Sequence, residues 1–335
     1  MKKSRLLLLF IPIILGIIAV TLVLSENRQS TPQNNDASES VTPEKVTIVT
    51  TLFPLYDIAK QLAADTGDVS LLLPPGVEPH SFEPTPKDIT TIQNADVFIY
   101  TGNEMEPWVA DIVATLPSSV IVVDASKNIT LIEGEEHSHD HGGKDDHAHD
   151  KEEKNHEDHT LDPHFWLDFS NTITATNTIS EALASLNTFD NTTLTTNTTN
   201  YIQQLQNLDA RYSTTLGTCK NRTIVQAGHR TFGYLAKKYN LEYVTTEELS
   251  PNSEPSAQDI ANLVKTIRAE NAQAVFSEEL IEPRIAETVS NETGVPILML
   301  NGAHNITQAQ FESNTSFITI MEDNLKNLRS GLSCD

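Results

Sequence analysis

Short β-branched and apolar runs alternate with amphipathic helical patterns along most of this chain, and that alternation leaves few folds open. Residues 46–50 read as a strand. A helical pattern follows, with Pro54 in its first turn and Leu55, Ile58, Ala59 and Leu62 on one face. Residues 69–73 read as the next strand, broken by Pro74-Pro75-Gly76. Thr85-Pro86-Lys87-Asp88 then opens a helix, because the Thr85 hydroxyl can accept a first-turn N–H, Pro86 has none to leave unpaired, and Asp88 can reach back to the cap. A strand at 97–100, a helix at 105–116 and a strand at 120–124 extend the series. Helices that cross between parallel strands cover both faces of a sheet, so the first half is an α/β unit.

The pattern returns in the second half, with strands expected at 222–226, 241–244, 274–276 and 295–300. Between the halves a helical pattern runs from 169 to about 186 and resumes at Tyr201 with Ile202, Leu205, Leu208 and Tyr212, after a Thr- and Asn-rich interval. Residues 83–89 (EPTPKDI) are echoed by 254–260 (EPSAQDI), each opening a helix. The expected fold class is therefore α/β: two Rossmann-like lobes with parallel four-stranded sheets joined by a long helical spine.

The chain starts with Lys2, Lys3 and Arg5 and is then apolar over 6–24, which at ~1.5 Å per residue crosses a ~30 Å hydrocarbon layer. The positive charges place the remainder on the far side. An uncleaved anchor is favoured over a cleaved signal, because the apolar run is long and no small-x-small site precedes Glu26; cleavage would leave a secreted protein. The organisation expected is an anchor or signal at 1–25, a flexible tether at 26–44, an N-terminal lobe at 45–132, an acidic His-rich loop at 133–160, a linking helical segment at 161–218 and a C-terminal lobe at 219–335. A net charge of −24 repels phosphate backbones, which excludes nucleic acid as a partner. Cys219 and Cys334 are the only cysteines, too few for a thiolate metal cage and absent from the N-terminal region where a lipid would attach. Outside the cell they are expected to form one disulfide.

Seven of the eleven histidines lie in 133–160 among acidic residues, a run too charged to pack. The other four are differently placed. His80, His229 and His304 each follow an expected strand, and His164 sits in Asp162-Pro163-His164-Phe165-Trp166-Leu167-Asp168 at the entry to the spine. Open α/β sheets bind ligands outside the carboxyl ends of their strands. Four converging imidazoles would suit a borderline cation such as Zn²⁺. Sequence separations this long do not show convergence, and four unrelated surface histidines remain the alternative on spacing alone.

The loop Pro74-Pro75-Gly76-Val77-Glu78-Pro79-His80-Ser81-Phe82-Glu83-Pro84, the His164 segment, and Gly228-His229-Arg230-Thr231-Phe232-Gly233-Tyr234-Leu235-Ala236 resemble successive signatures of the zinc and manganese ABC-transporter solute-binding proteins. The resemblance covers about residues 46–330 in matching order. It implies two lobes, joined by a long rigid helix, that clasp one metal ion, with His80, His164 and His229 on ligand positions. Histidine at the third place and the acidic His-rich loop ahead of the second resemble the zinc-specific branch. The function so implied is not enzymatic: capture of extracellular Zn²⁺ as a transported ligand, with Mn²⁺ less suited, and delivery to an ABC permease at the cell membrane. A monomer is expected.

Two features depart from that pattern. Family members carry Asp or Glu after the last strand, where this chain has Asn301 and His304. An N-terminal anchor stands where relatives carry a lipid. For the fourth ligand, His304 suits zinc better than the Asn301 amide; water, Glu78 and Glu254 are the alternatives, and Glu78 or Glu83 is expected to balance the ion's charge. Two rival functions stay open at this point. A zinc hydrolase would use Glu78 or Glu254 as base, though no His-Glu-x-x-His motif supports it, and a surface adhesion or metal-buffering protein would use the histidine tract itself.

Overall fold

The computed structural model describes residues 45–134, 161–246, 256–280 and 283–335. The expected anchor and tether, nearly all of the His-rich loop, and Glu254 lie outside them. In chain order the elements are β1 (Val46–Thr50), α1 (Phe53–Ala63), β2 (Gly67–Leu71), α2 (Pro86–Gln93), β3 (Val97–Tyr100), α3 (Val109–Val113) and β4 (Ile121–Asp124), then α4 (Phe169–Ala184) and α5 (Asn191–Leu216). The second series is β5 (Thr223–Ala227), α6 (Gly233–Lys238), β6 (Glu242–Thr245), α7 (Ala257–Ala269), β7 (Val275–Glu278), α8 (Arg284–Thr293), β8 (Ile297–Leu300), α9 (Gln308–Glu312) and α10 (Phe317–Gly331). Among the described residues no helix is long and apolar enough to cross a membrane.

Each series forms one parallel four-stranded sheet, ordered β2-β1-β3-β4 and β6-β5-β7-β8. The two orders are the same topology used twice. Both reverse direction beside their first strand, so crevices open at the carboxyl ends of β1/β3 and β5/β7. Central strands are buried on both sides, as β5 is along its whole length, whereas edge strand β2 alternates. The period of two in β3 sends Val97 and Ile99 to one face and Phe98 to the other. The first face joins a large core that runs through Leu205, Leu208 and Tyr212 of α5 to Ile224 and Phe276 of the second sheet. Phe98 packs with Val49 and Val109 in a separate outer core, and Val225, Val275 and Val289 form its counterpart in the second lobe.

The helix starts follow local chemistry. Thr85 and Asp88 form the expected capping box, and Ser256 with Asp259 forms the same box on α7. The spine departs from its expected outline. Instead of resuming at Tyr201, α5 begins at Asn191, capped by Asp190, and α4 turns back on it: Phe169 meets Tyr212, and Ser180 pairs with Thr198. The Thr residues that obscured this stretch keep their hydroxyls on carbonyls one turn back, as Thr176 does on Thr172 O and Thr198 on Leu194 O. β2 starts and ends two residues earlier than its apolar run suggests. Helix α3 is shorter than expected, and α10 carries no expectation from periodicity.

The lobes are tied together by buried polar contacts as well as the core. Asp57 of α1 accepts from Tyr201 Oη of α5 (3.1 Å) and from the Phe317 N–H that opens α10 (3.2 Å). Cys219 and Cys334 form the expected disulfide, which joins the end of α5 to the chain after α10. Closing a loop of 115 residues removes denatured-state entropy worth about 4 to 5 kcal/mol in the chain-entropy model. Reduction should lower the melting temperature by several degrees, and an unchanged melt in reductant would contradict the disulfide's role.

A second expectation concerns Glu106, buried where β3 ends, whose Oε2 accepts from Thr101 N (2.8 Å) and Gly102 N (3.2 Å). Burial raises its carboxyl from 4.5 to about 7, against the pull of Thr51, Thr101 and those amides. A folded-state value above the unfolded one means stability that is complete below pH 4.5 and lost as pH rises through 7. Glu106→Gln lacks this loss. Its melting temperature should therefore gain on the parent between pH 4.5 and 8, and parallel pH profiles would refute the assignment.

Candidate metal centre

His80, His164, His229 and His304 converge, with one ring nitrogen of each lying within 4.8 Å of the others. The elements that bring them there differ. His80 lies on the loop after β2, whose Pro74–Val77 turn closes with Val77 N to Pro74 O (3.1 Å) around Gly76 at φ +85°. Glu78 fixes the rest of that loop, since its two oxygens accept from His80 N (2.9 Å) and Ser81 N (2.8 Å). His164 precedes a single 3₁₀ turn, Phe165–Leu167, whose side chains are all buried. Trp166 of that turn donates Nε1–H to Gly302 O at 2.8 Å, across to the loop that bears His304.

His229 follows β5, and His304 follows β8. Helix α10 places the latter loop: Asn324 accepts from Asn301 N (2.8 Å) and donates to Asn301 O (2.7 Å). The Asn301 side-chain oxygen is taken up locally, accepting from Ala303 N (2.7 Å). The His304 ring then packs against Trp166, His164 and the backbone at Gly302. A Cβ at Gly302 would stand 2.4 Å from His304 Cε1 and 2.7 Å from Thr231 Cγ2, so the ring's seat requires glycine there.

Three of the rings present Nδ1 to a buried carboxylate. His164 Nδ1 lies 2.7 Å from Asp162 Oδ1, which also accepts His164 N–H (2.9 Å). His229 Nδ1 lies 2.6 Å from Glu278 Oε2. His304 Nδ1 is 3.7 Å from Glu279 Oε1, an ion-pair distance rather than a hydrogen bond, while Glu279 Oε2 accepts from Gly302 N (2.8 Å). A carboxylate on Nδ1 sets the tautomer and turns Nε2 toward the centre. His304 Nε2 is buried with no hydrogen-bond partner among the described residues. His80 Nε2 and His164 Nε2 are 3.3 Å apart, about the edge of a tetrahedron with metal–nitrogen bonds of ~2.0–2.1 Å. Thr231 Oγ1 lies 2.9 Å from His229 Nε2 and 3.0 Å from Glu278 Oε1. Its single proton can turn to the carboxylate when that nitrogen takes a cation.

The electrostatics favour the same occupant. Burial, and then the charge that His164 and His229 would carry, push the His80 imidazolium down to about 2. Burial and the other three rings push His304 well below its ordinary value. These rings are thus neutral and need expel no proton to bind a metal. Glu279 is raised well above the usual carboxylate range by burial and then by Glu278. A divalent cation relieves both kinds of crowding. A cavity of about 30 Å³ between Glu78, His229, Glu279 and His304 admits an ion but no organic molecule of any size.

Of the expected charge-balancing residues, Glu83 is exposed, while Glu78 lines this cavity with both oxygens taking backbone amides. The carboxylates directly behind the rings are those of Asp162, Glu278 and Glu279. Asp162 was within reach of sequence reasoning, two residues before His164. Glu278 and Glu279 carried only the weaker signal of two acids at a strand's carboxyl end.

The chain matches the family model described as the periplasmic zinc-uptake complex component A over residues 48–331. It is 35% identical over 290 residues to the high-affinity zinc uptake system protein ZnuA of Bacillus subtilis, covering 86% of this chain and 88% of that one. It is 34% identical over 299 residues to the zinc-binding protein AdcA of Streptococcus pyogenes serotype M3, covering 89% of this chain but only 58% of that relative's length. Among solved structures, the Zn(II)-bound ZnuA-like domain of AdcA from Streptococcus pneumoniae is similar at a TM-score of 0.71 and 32% identity, covering 86% of this chain and 99% of that one.

Gly302→Ala tests the packing described above. The added methyl should displace the His304 ring at a cost of about 1–3 kcal/mol, lowering the melting temperature and shifting the His304 imidazole resonances more than those of His80. Unmoved His304 resonances in a folded variant would show that the ring does not sit on Gly302.

Proposed function

The chain belongs to the zinc-uptake complex component A family, and from that premise we propose that it is the extracytoplasmic solute-binding component of an ABC transporter. It takes up Zn²⁺ between its lobes through ring nitrogens of His80, His164, His229 and His304 and delivers it to a membrane permease. The observation that carries this reading is the meeting of four buried or half-buried imidazoles, three of them backed by carboxylates. Nitrogen donors suit zinc, whereas Mn²⁺ prefers oxygen.

Four protein nitrogens complete a tetrahedron, and a carrier gains nothing from a bound, reactive water. The hydrolase reading loses its support on three counts: no coordination position is left open, Glu78 is held by backbone amides, and the cavity excludes an organic substrate. Capture then proceeds by ligation alone. Asp162, Glu278 and Glu279 hold the rings in register, and the closing of the cleft strips the ion's water.

On the same reading the chain acts as a monomer at the outer face of the cell membrane, held by residues 1–25 through the tether at 26–44, or is released if that segment is cleaved. The lobes at 45–132 and 219–335, with the linking segment 161–218, form the carrier. The His-rich loop at 133–160 contributes weak sites only, since ordering it to chelate costs roughly 1 to 2 kcal/mol per residue.

Competitive titration should find one tight Zn²⁺ equivalent per chain. His304→Ala should weaken that equivalent by more than the ~10–100-fold typical of losing an outer-sphere partner, with the fold retained by circular dichroism. Unchanged zinc affinity in the variant would remove His304 from the ligand set, and absence of a tight equivalent in the parent would overturn the function.

A further inference from the structure

We propose that Asn305 is a positioning residue that latches the cleft shut over its cargo and so governs the rate of release. The inference rests on the zinc reading above. Asn305 touches no proposed ligand atom, but it follows His304 directly, and its fully buried side chain reaches into the other lobe. The amide nitrogen donates to Pro74 O and Val77 O, both at 2.8 Å. These are the first and last carbonyls of the tight turn three residues before His80. Asn305 Oδ1 accepts Ile306 N–H at 2.8 Å, and that bond fixes which way the amide faces. Ile306 O in turn accepts Gly76 N–H from the same turn at 2.8 Å, and His304 O accepts Phe53 N–H from α1 at 3.2 Å.

Three consecutive residues of one lobe are thus bonded to the other, and the centre of the contact is a side chain. The loops carrying His80 and His304 are registered against each other through that contact. Its chemistry suits a latch. Two amide-to-carbonyl bonds are worth little net when water can replace them, so they hold the closed state without making opening prohibitive. An apolar contact of the same size would have no aqueous equivalent in the open state. Few other side chains could serve. Aspartate would set a carboxylate against two carbonyl oxygens, and alanine would leave Val77 O without its donor and Pro74 O with the Val77 N–H alone.

The test is the rate at which Zn²⁺ passes from the loaded protein to excess chelator, by stopped flow, in the parent and in Asn305→Asp, Asn305→Ala and Asp57→Asn. The last loosens a second interlobe contact, to Tyr201 and the Phe317 N–H, that involves neither the His80 loop nor the His304 loop. Both Asn305 variants should still bind one equivalent and give the tetrahedral Co²⁺ absorption of the parent, yet release zinc at least about tenfold faster. Asp57→Asn should melt earlier without comparable acceleration.

Release at the parent rate from either Asn305 variant would overturn the inference. So would equal acceleration in Asp57→Asn, which would signify general loosening, and so would failure of both Asn305 variants to fold, since a latch is dispensable for folding. Normal zinc binding with unchanged release sinks this inference alone, whereas a parent protein that binds no zinc sinks the cargo assignment with it.

Discussion

The continuous apolar core from the first sheet, along α4 and α5, to the second sheet is the constraint on which the site depends. Four histidines spread over more than two hundred residues cannot be registered by local geometry. They are registered because the strands and loops that carry them pack on a common helix pair. Lobes with separate cores would drift as independent bodies. Here Ile48, Leu205, Tyr212, Ile224 and Phe276 share one core, which limits how far the lobes can part when the cleft opens. Adjustment is left to the loops beyond the strand ends, above all the Pro74–Val77 turn.

On this frame the site sets two unfavourable burials against each other. Neutral imidazoles sit where protonation is suppressed, and carboxylates sit where ionisation is costly. Neither group satisfies the other fully, as the 3.7 Å between His304 and Glu279 illustrates. A small divalent cation bonded to the nitrogens resolves both, since it draws charge from the rings and offsets the carboxylates behind them. Selection for nitrogen donors and selection for double charge thus reside in different layers of the same site.

Much of this was legible in the sequence where a signal was local. β1 and β3 lie where their β-branched runs stand, and the Thr85 box opens α2, because strand period and capping act over a few residues. His80, His229 and His304 were legible as residues after strands, and His164 as the residue at the entry to the spine. Other features were hidden by competition between signals. The apolar run at Leu72 and Leu73 extends past β2 because these residues still donate to Thr50 O and Thr51 O after the regular ladder has ended. The first turns of α5 were masked by Thr and Asn, whose weak helix propensity is overridden by the Asp190 cap and by packing. Glu278 and Glu279 act on rings carried by neighbouring loops of their own lobe, and Asn305 acts across the cleft, through contacts that no period or cap records.

The four rings are unequally sheltered. His164, His229 and His304 are at most 4% exposed, whereas His80 is only half-buried and stands on a surface turn. If these four rings are the ligands, the bond to His80 would be the one most open to exchange. Among the four, His80 is the ring with least protein between it and solvent. On that ligand set, a recipient able to supply one good nitrogen or sulfur beside His80 would compete first with the least sheltered of the four rings.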